Sequence, residues 1–454
     1  MFLSLSPEIL TFILPFAVLF SANSWKNAQT MLFGAILCRG KRTVCSILRT
    51  LGLENESGFS KYHRLLNHAK WSARQGSYIL FKMLLQCIPK GSRPVIFIDE
   101  TLERRKGRKI KEKGLYRDAV ASTKSNVVKR YGLKWLVMSL SVHFPFAKRA
   151  FALPFFTVLE PSSRSCKQQK KRHKTTMDWS RQMIKQLIRW VPNLSFILVG
   201  DGGFAAGELA WTCLFYKIAL VSRLKMNASL YDFPPETGPG KRGRRKKRGQ
   251  RLMNFKQMLG ALDLNWQDAE IIGYGGQKKA VRYLTNTCFW GADGFEPVPI
   301  RWVLMIDPSG QLNPLPLMST DVSLSAKEII ALYIERWSIE VTFEEVREHL
   351  GVETQRQWSE KAIYRTTPIL MGLYSLVCLI ANELNKAQEI EVESTAWYQK
   401  ETATFGNMIK AVRKDLWRDT LFLGKTIFSP SGENNELDSQ AWRELLIECL
   451  SKAA

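Results

Sequence analysis

Tyr333-Ile334-Glu335-Arg336-Trp337-Ser338-Ile339-Glu340-Val341-Thr342-Phe343-Glu344-Glu345-Val346-Arg347 is an unusual run of charged and aromatic side chains on a helical repeat. Ahead of it, Asp321-Val322-Ser323-Leu324-Ser325 is a helix-start signal before an apolar-periodic run, which predicts one helix from about 325 to 350. Tyr333, Glu340 and Arg347 are seven apart, a spacing that drifts only about 20° per step on an α-helix, so they share a face. Arg336 lies four before Glu340, beside that face. A carboxylate flanked by arginines, a tyrosine and a tryptophan makes a poor core face and a good one for holding a metal ion next to a phosphate.

Upstream, short apolar runs end in acids. Val95-Ile96-Phe97-Ile98 is a buried strand leading into Asp99-Glu100-Thr101, and Phe196-Ile197-Leu198-Val199-Gly200 is another, leading into Asp201-Gly202-Gly203. Between them come strands at Leu133 to Val142 and Phe151 to Leu159, then a helix from Thr176 to Trp190. Pro154 favours an edge position for the second of those strands. A helix from Ala206 to Cys213 precedes a fifth strand, Ile218 to Ser222. The first three strands can form a meander with later strands added through helices, so Asp99, Asp201 and Glu340 can converge at the carboxyl edge of a mixed sheet. Converging carboxylates suit Mg²⁺, which binds through a few acids and keeps its waters. Two such ions serve phosphodiester displacement.

Taken singly, each acid has a plainer role. A strand-end aspartate is usually a turn or cap residue, Asp201 before two glycines can cap a helix, and Glu340 can be the helical partner of Arg336. Glu100, Glu344 and Glu345 are the neighbouring acids that could stand in their place, Glu344 foremost.

Together these residues resemble the DDE transposases of bacterial insertion sequences, whose C-terminal signature is Y-x-x-R-x-x-x-E followed by K after a six-residue gap. Tyr333, Arg336 and Glu340 match it, Arg347 stands where lysine is usual, and Trp337 and Ile339 fit the R-W-x-I-E form. The resemblance spans roughly residues 90 to 355. It implies an α/β, RNase H-like mixed-sheet core, with Asp99, Asp201 and Glu340 as both catalytic residues and ligands of two Mg²⁺ ions, for which Mn²⁺ substitutes. It further implies that Tyr333, Arg336, Trp337 and Arg347 meet DNA near the scissile bond, Arg347 with changed geometry. The implied activity is cleavage of element ends and joining of the freed 3′-OH to target DNA. The implied partner is double-stranded DNA, both transposon ends and target, bound by a homodimer in a bacterial cytoplasm, at the nucleoid. In relatives that make hairpin ends, a tryptophan stacks on a flipped base. Trp290 and Trp302 are the candidates here, though a strand-core place is the commoner one for such residues.

The remaining chain divides into a helical N-terminal DNA-binding domain (1–90), the core in two parts (91–224 and 323–390), a β-rich insertion (225–322) and a helical C-terminal region (391–454). Within the first, an amphipathic segment from Lys41 to Leu53, a turn, and a basic helix from Ser60 to Lys70 are compatible with a helix-turn-helix. The insertion has strands at Ala280 to Trp290 and Val298 to Ile306. Its basic loop, Lys241 to Arg251, packs eight cations into eleven residues. The charge of the whole chain favours phosphate binding by Lys241, Arg242, Arg244, Arg245, Lys246, Lys247 and Arg248 over a solubilising or nuclear-localisation-like role. A polar loop, residues 433–436, interrupts the helical tail.

Bulk properties agree. A net charge of +25, from 66 basic against 41 acidic side chains, calls for a polyanionic partner. Eight scattered cysteines have no C-x-x-C spacing, so neither a zinc ribbon nor a disulfide framework is suggested, and His63 and His68, five apart and off one helical face, argue against a histidine metal site. Ile9 to Phe20 could pass for a signal sequence, but it lacks a basic n-region, contains Pro15 and is short, so a buried helix is expected. Met371 to Ile380 is closed by Asn382 and Glu383 too soon for a membrane span. Three rival readings remain: a catalytically silent DNA-binding descendant, an RNase H-like DNA nuclease without strand transfer, and an RNA-binding protein. The last has only the charge in its favour.

Overall fold

The computed structural model describes residues 6–118, 121–123, 125–235, 246–292, 294–397, 399–423 and 436–452. Five helices come first: α1 (Pro7–Ile13), α2 (Ala22–Leu37), α3 (Val44–Thr50), α4 (Ser60–Asn67) and α5 (Ala73–Leu85). The apolar stretch expected as one buried helix is α1 followed by a 3₁₀ segment, Leu14–Leu19. Only part of it is buried: Ile9 and Ile13 face the core while Leu14 and Val18 face solvent. The two helices expected to form a helix-turn-helix are α3 and α4, joined by a small core of Val44, Leu48, Tyr62 and Leu66 that also includes Ala362.

The meander follows. β1 (Val95–Arg104) pairs antiparallel with β3 (Lys129–His143), which carries β2 (Gly114–Arg117) and β4 (Ala150–Glu160) as further antiparallel partners. β4 pairs with β3 alone and its register shifts beside Pro154, as a residue without an N–H requires. The short α6 (Ser163–Gln168) and α7 (Thr176–Trp190) then cross over to β5 (Ile197–Gly200), parallel to β1. α8 (Gly207–Phe215) crosses to β6 (Ala219–Arg223), parallel to β5. The expected α/β class with a mixed sheet is present.

Between β6 and the next long helices lie β7 (Leu230–Tyr231), α9 (Phe255–Leu259), β8 (Gln267–Ile272), β9 (Lys278–Trp290), β10 (Val298–Ile306) and β11 (Leu315–Ser319). These strands continue the core sheet rather than forming a second one: β11 pairs antiparallel with β6, and β10 and β9 follow. Trp290 and Trp302 are buried in it, Trp302 edge-on to Phe255, so neither ring is presented for stacking on a base. Of the basic loop, Lys241, Arg242, Arg244 and Arg245 lie outside the described residues. Lys247 pairs with Glu296, and Arg248 lies over the Tyr231 ring.

Two expectations need correction. The single helix from 325 to 350 is two, α10 (Ala326–Glu335) and α11 (Trp337–Leu350), with Arg336 at the joint. The tightened turn there is a 3.0 Å bond from the Ile339 N–H to the Arg336 carbonyl. α10 packs on β6, β10 and β11, whereas α11 packs on β1 and β4. A twisted sheet turns those two regions relative to each other, and one straight helix cannot follow both. α11 ends at Gly351, whose φ of 64° is the left-handed cap that glycine adopts without strain. The second correction concerns Asp99, which is inside β1 rather than at its end. Its parallel neighbour β5 stops at Gly200, but antiparallel pairing with β3 continues to Arg104 opposite Gly132.

α12 (Glu360–Ala387), α13 (Phe405–Leu423) and α14 (Glu436–Ser451) complete the chain; residues 433–435 lie outside the described residues. α12 runs past Asn382 and Glu383, so it is long and apolar enough to cross a membrane. Its packing on β4, α5 and α13 is that of a core helix.

Glu103 ties β1, β3 and α12 together. Its buried carboxylate accepts from Arg105, from the Trp135 indole and from the Thr367 hydroxyl, each at 2.7 Å. Glu103→Ala would strand a buried guanidinium and an indole N–H, and should cost about 3–5 kcal/mol. Urea unfolding measures this, and Glu103→Gln should lose less.

Candidate active site

Register brings the first two acids together. Ile98 pairs with Gly200 across β1 and β5, so the next residues, Asp99 and Asp201, leave the parallel ladder at one level and on one face. Val199 pairs with Val221 across β5 and β6, which sets Arg223 at that level too. Alternation along β1 separates Asp99 from its neighbour. Asp99, Thr101 and Glu103 face α11 and α12, while Glu100 points the other way to Lys134 at 2.5 Å.

Glu340 comes from α11, and Arg336 joins it to Asp99. One guanidinium nitrogen lies 3.3 Å from Asp99 Oδ2 and the other 2.8 Å from Glu340 Oε1. The arginine is buried, its Nε has no partner, and its cationic carbon lies 5.4 Å from the centre of the half-buried Tyr333 ring. Asp201 Oδ1 accepts the Gly203 N–H at 2.8 Å, so this residue also caps the 3₁₀ turn Gly202–Phe204. Asp99 Oδ1 accepts the Glu100 N–H at 2.8 Å. Glu335 pins the joint from the other side, accepting from Ser141 and lying 3.0 Å from His143 Nε2.

Electrostatics agree with this convergence. Burial pushes the Asp99 carboxyl up to about 7; Arg336 opposes that, and the charges of Asp201 and Glu340 add to it. Burial likewise raises the Tyr333 hydroxyl, against the pull of Arg336 and Arg223.

The other expected residues divide. Trp337 is exposed beside the cluster. Arg347 is spent internally, on Glu353 at 3.2 Å, the Phe343 carbonyl at 3.0 Å and Thr101 at 2.5 Å. Arg336 faces carboxylates rather than open solvent, so meeting a phosphate would require it to turn away from Asp99 or Glu340. Glu345 is held by Tyr374 and Arg149, whereas Glu344 is exposed one turn beyond Glu340. Arg223 escaped the sequence reading. Its strand end carries no motif, and only the register of β5 with β6 reveals its place.

As donors, Asp99, Asp201 and Glu340 are the hard oxygen set that Mg²⁺ or Mn²⁺ takes. Among the described residues, however, no three acids, histidines or cysteines stand close enough to hold one ion as they are. Arg336 lies between two of them and ion-pairs with both.

Residues 15–272 match a family described as DDE superfamily endonuclease, more than half of the chain. The chain belongs to this family. Asp99 and Asp201 fall within the matched stretch of the DDE superfamily endonuclease, and Glu340 lies beyond it. No curated protein matches the chain. Among solved structures, a piggyBac transposase synaptic complex with hairpin DNA, determined by cryo-EM, is similar at 14% identity and a TM-score of 0.43, over 98% of this chain and 82% of that one.

The Asp99 shift makes a signed prediction for this endonuclease-family protein. A carboxyl raised from 3.8 to about 7 contributes stability that is complete below pH 3.8 and is lost as pH climbs through about 7. Asp99→Asn removes this dependence, so in chelator the variant should gain on the parent by a few kcal/mol as pH rises across that window. Thermal melts of both proteins at several pH values from about 4 to 8 test it; parallel curves across that range would refute the raised carboxyl.

Proposed function

We propose that this protein is a metal-dependent DNA transposase of the insertion-sequence type with the Y-R-E signature, cutting element ends and joining the 3′-OH to target DNA. The observation that carries this is the cluster of Asp99 and Asp201 from in-register strands with Glu340 one guanidinium away. Family membership and the charge of +25 support it. Asp99, Asp201 and Glu340 would hold the ions, which when bound activate the attacking oxygen and stabilise the leaving one.

The chain's own groups have definite tasks. Arg336 keeps two carboxylates compatible in a buried site, and a DNA phosphate competes with them for its guanidinium, so substrate arrival releases acid ligands. Arg223 and Trp337 stand exposed at the rim, ready for backbone and base. Double-stranded DNA, as ends and as target, is the proposed partner, with two copies of the chain serving two ends.

A second reading, a silent DNA-binding descendant, draws on the Arg336 wedge and on the absence of a ready three-ligand group among the described residues.

Cleavage separates the two. With Mg²⁺ or Mn²⁺, the protein should nick a plasmid carrying the DNA that flanks its own gene. Asp99→Asn, Asp201→Asn and Glu340→Gln should each abolish nicking while gel-shift binding persists. A Glu340→Gln variant that cuts, beside a dead Glu344→Gln, would move the third ligand by one turn. Deleting Lys241 to Arg251 should weaken DNA binding and flatten its salt dependence. An unchanged slope would make that loop a solubiliser.

A further inference from the structure

Beyond Asp99, β1 runs five residues to Arg104, about 17 Å at strand rise, and enters a loop, residues 105–113, rich in cations. Two clefts flank this loop and share Arg108. One, of about 530 Å³, lies against the 353–358 segment and presents Lys41, Lys106, Lys109, Arg356 and Trp358. The other, of about 1160 Å³, lies against β2, β3 and α6 and presents Lys111, Lys113, Tyr131, Arg164 and Lys171. Each has a single acid on its wall, and Glu353 and Glu160 are both already paired with cations.

Each cleft also holds an exposed aromatic ring with a lysine over it. Lys109 lies 4.9 Å from the Trp358 ring centre and Lys113 lies 5.3 Å from that of Tyr131. Trp358 is 56% exposed and Tyr131 51%, so each ring is open to solvent beside a surplus of positive charge, of which Lys171 pairs with Glu360 and Lys113 donates to the Gly107 carbonyl. Duplex bases already stack on each other and offer such rings nothing. Unpaired bases stack on them while their phosphates follow the lysines.

The surface is mechanically tied to the carboxylate cluster. Glu353 binds both Arg104, at the mouth of the loop, and Arg347, which also holds Thr101 two residues from Asp99.

We infer that the 105–113 loop, with Trp358 and Tyr131 on its two sides, is a track for an unpaired DNA strand running away from Asp99, Asp201 and Glu340. This rests on the reading of the protein as a DNA-processing enzyme. The track takes the strand separated from its complement near the cut, and it has no part in holding metal.

The test is fluorescence anisotropy of the full chain in chelator, with a short labelled oligothymidylate and a duplex of equal length. Trp358→Ala and Tyr131→Ala should each weaken oligothymidylate binding by about fivefold or more and leave the duplex unaffected. Trp358→Phe and Tyr131→Phe, which keep a ring, should bind as the parent does. Lys106→Glu with Lys109→Glu should weaken the single strand and reduce its salt slope. Unchanged oligothymidylate binding in both alanine variants overturns the proposal. So does an equal loss on duplex, which would make the clefts a duplex seat, or tighter binding of oligouridylate, which would assign them to RNA. Because no cleavage is read, failed nicking with intact ring-dependent binding would sink the transposase reading alone. Normal nicking with no ring dependence would sink this proposal alone.

Discussion

Two parallel pairings, Ile98 with Gly200 and Val199 with Val221, are the constraint on which the site depends. They bring residues more than a hundred positions apart to one level, because a parallel ladder joined by helical crossovers lets distant segments end side by side. A slip of one residue would turn Asp99 or Asp201 to the opposite face, where Glu100 already lies among Lys134, Glu160 and Thr176. The acids are placed by apolar runs whose burial fixes the register: Ile96, Phe97, Ile98, Leu198 and Val199 are all fully enclosed.

That placement creates an electrostatic problem which Arg336 relieves. Carboxylates brought together in a partly dry environment repel one another, and burial alone moves Asp99 far from its ordinary range. A guanidinium with two separate forks can serve two carboxylates at once; a lysine could not hold both in the same geometry. The tightened turn between α10 and α11 falls at Arg336. The break sends Trp337 outward while Glu335 anchors the joint to β3.

Charge is sorted by depth. Buried cations such as Arg105 are matched by acids or carbonyls, whereas the excess that makes the chain basic lies on loops and helix surfaces such as 105–113 and 164–174. Exposed lysines contribute little to folding, so their concentration beside one end of β1 reflects what they meet rather than what they stabilise.

The α/β class, the meander, the two crossovers, the edge position of β4 and the acids that end or follow apolar runs were all legible in the sequence. These depend on local periodicity and on residues such as Pro154, whose chemistry acts within a few positions. The sequence also grouped Tyr333, Arg336 and Glu340 in one helical stretch, though as a single helix that the fold divides at Arg336. The folded structure was needed to show that β1 extends past Asp99, because its second partner β3 continues where β5 stops. It alone split the long helix, joined the later strands to the core sheet and added Arg223 to the site. Partner length, sheet twist and lateral register are set between segments far apart in the chain, and no window of sequence contains both sides of such a contact.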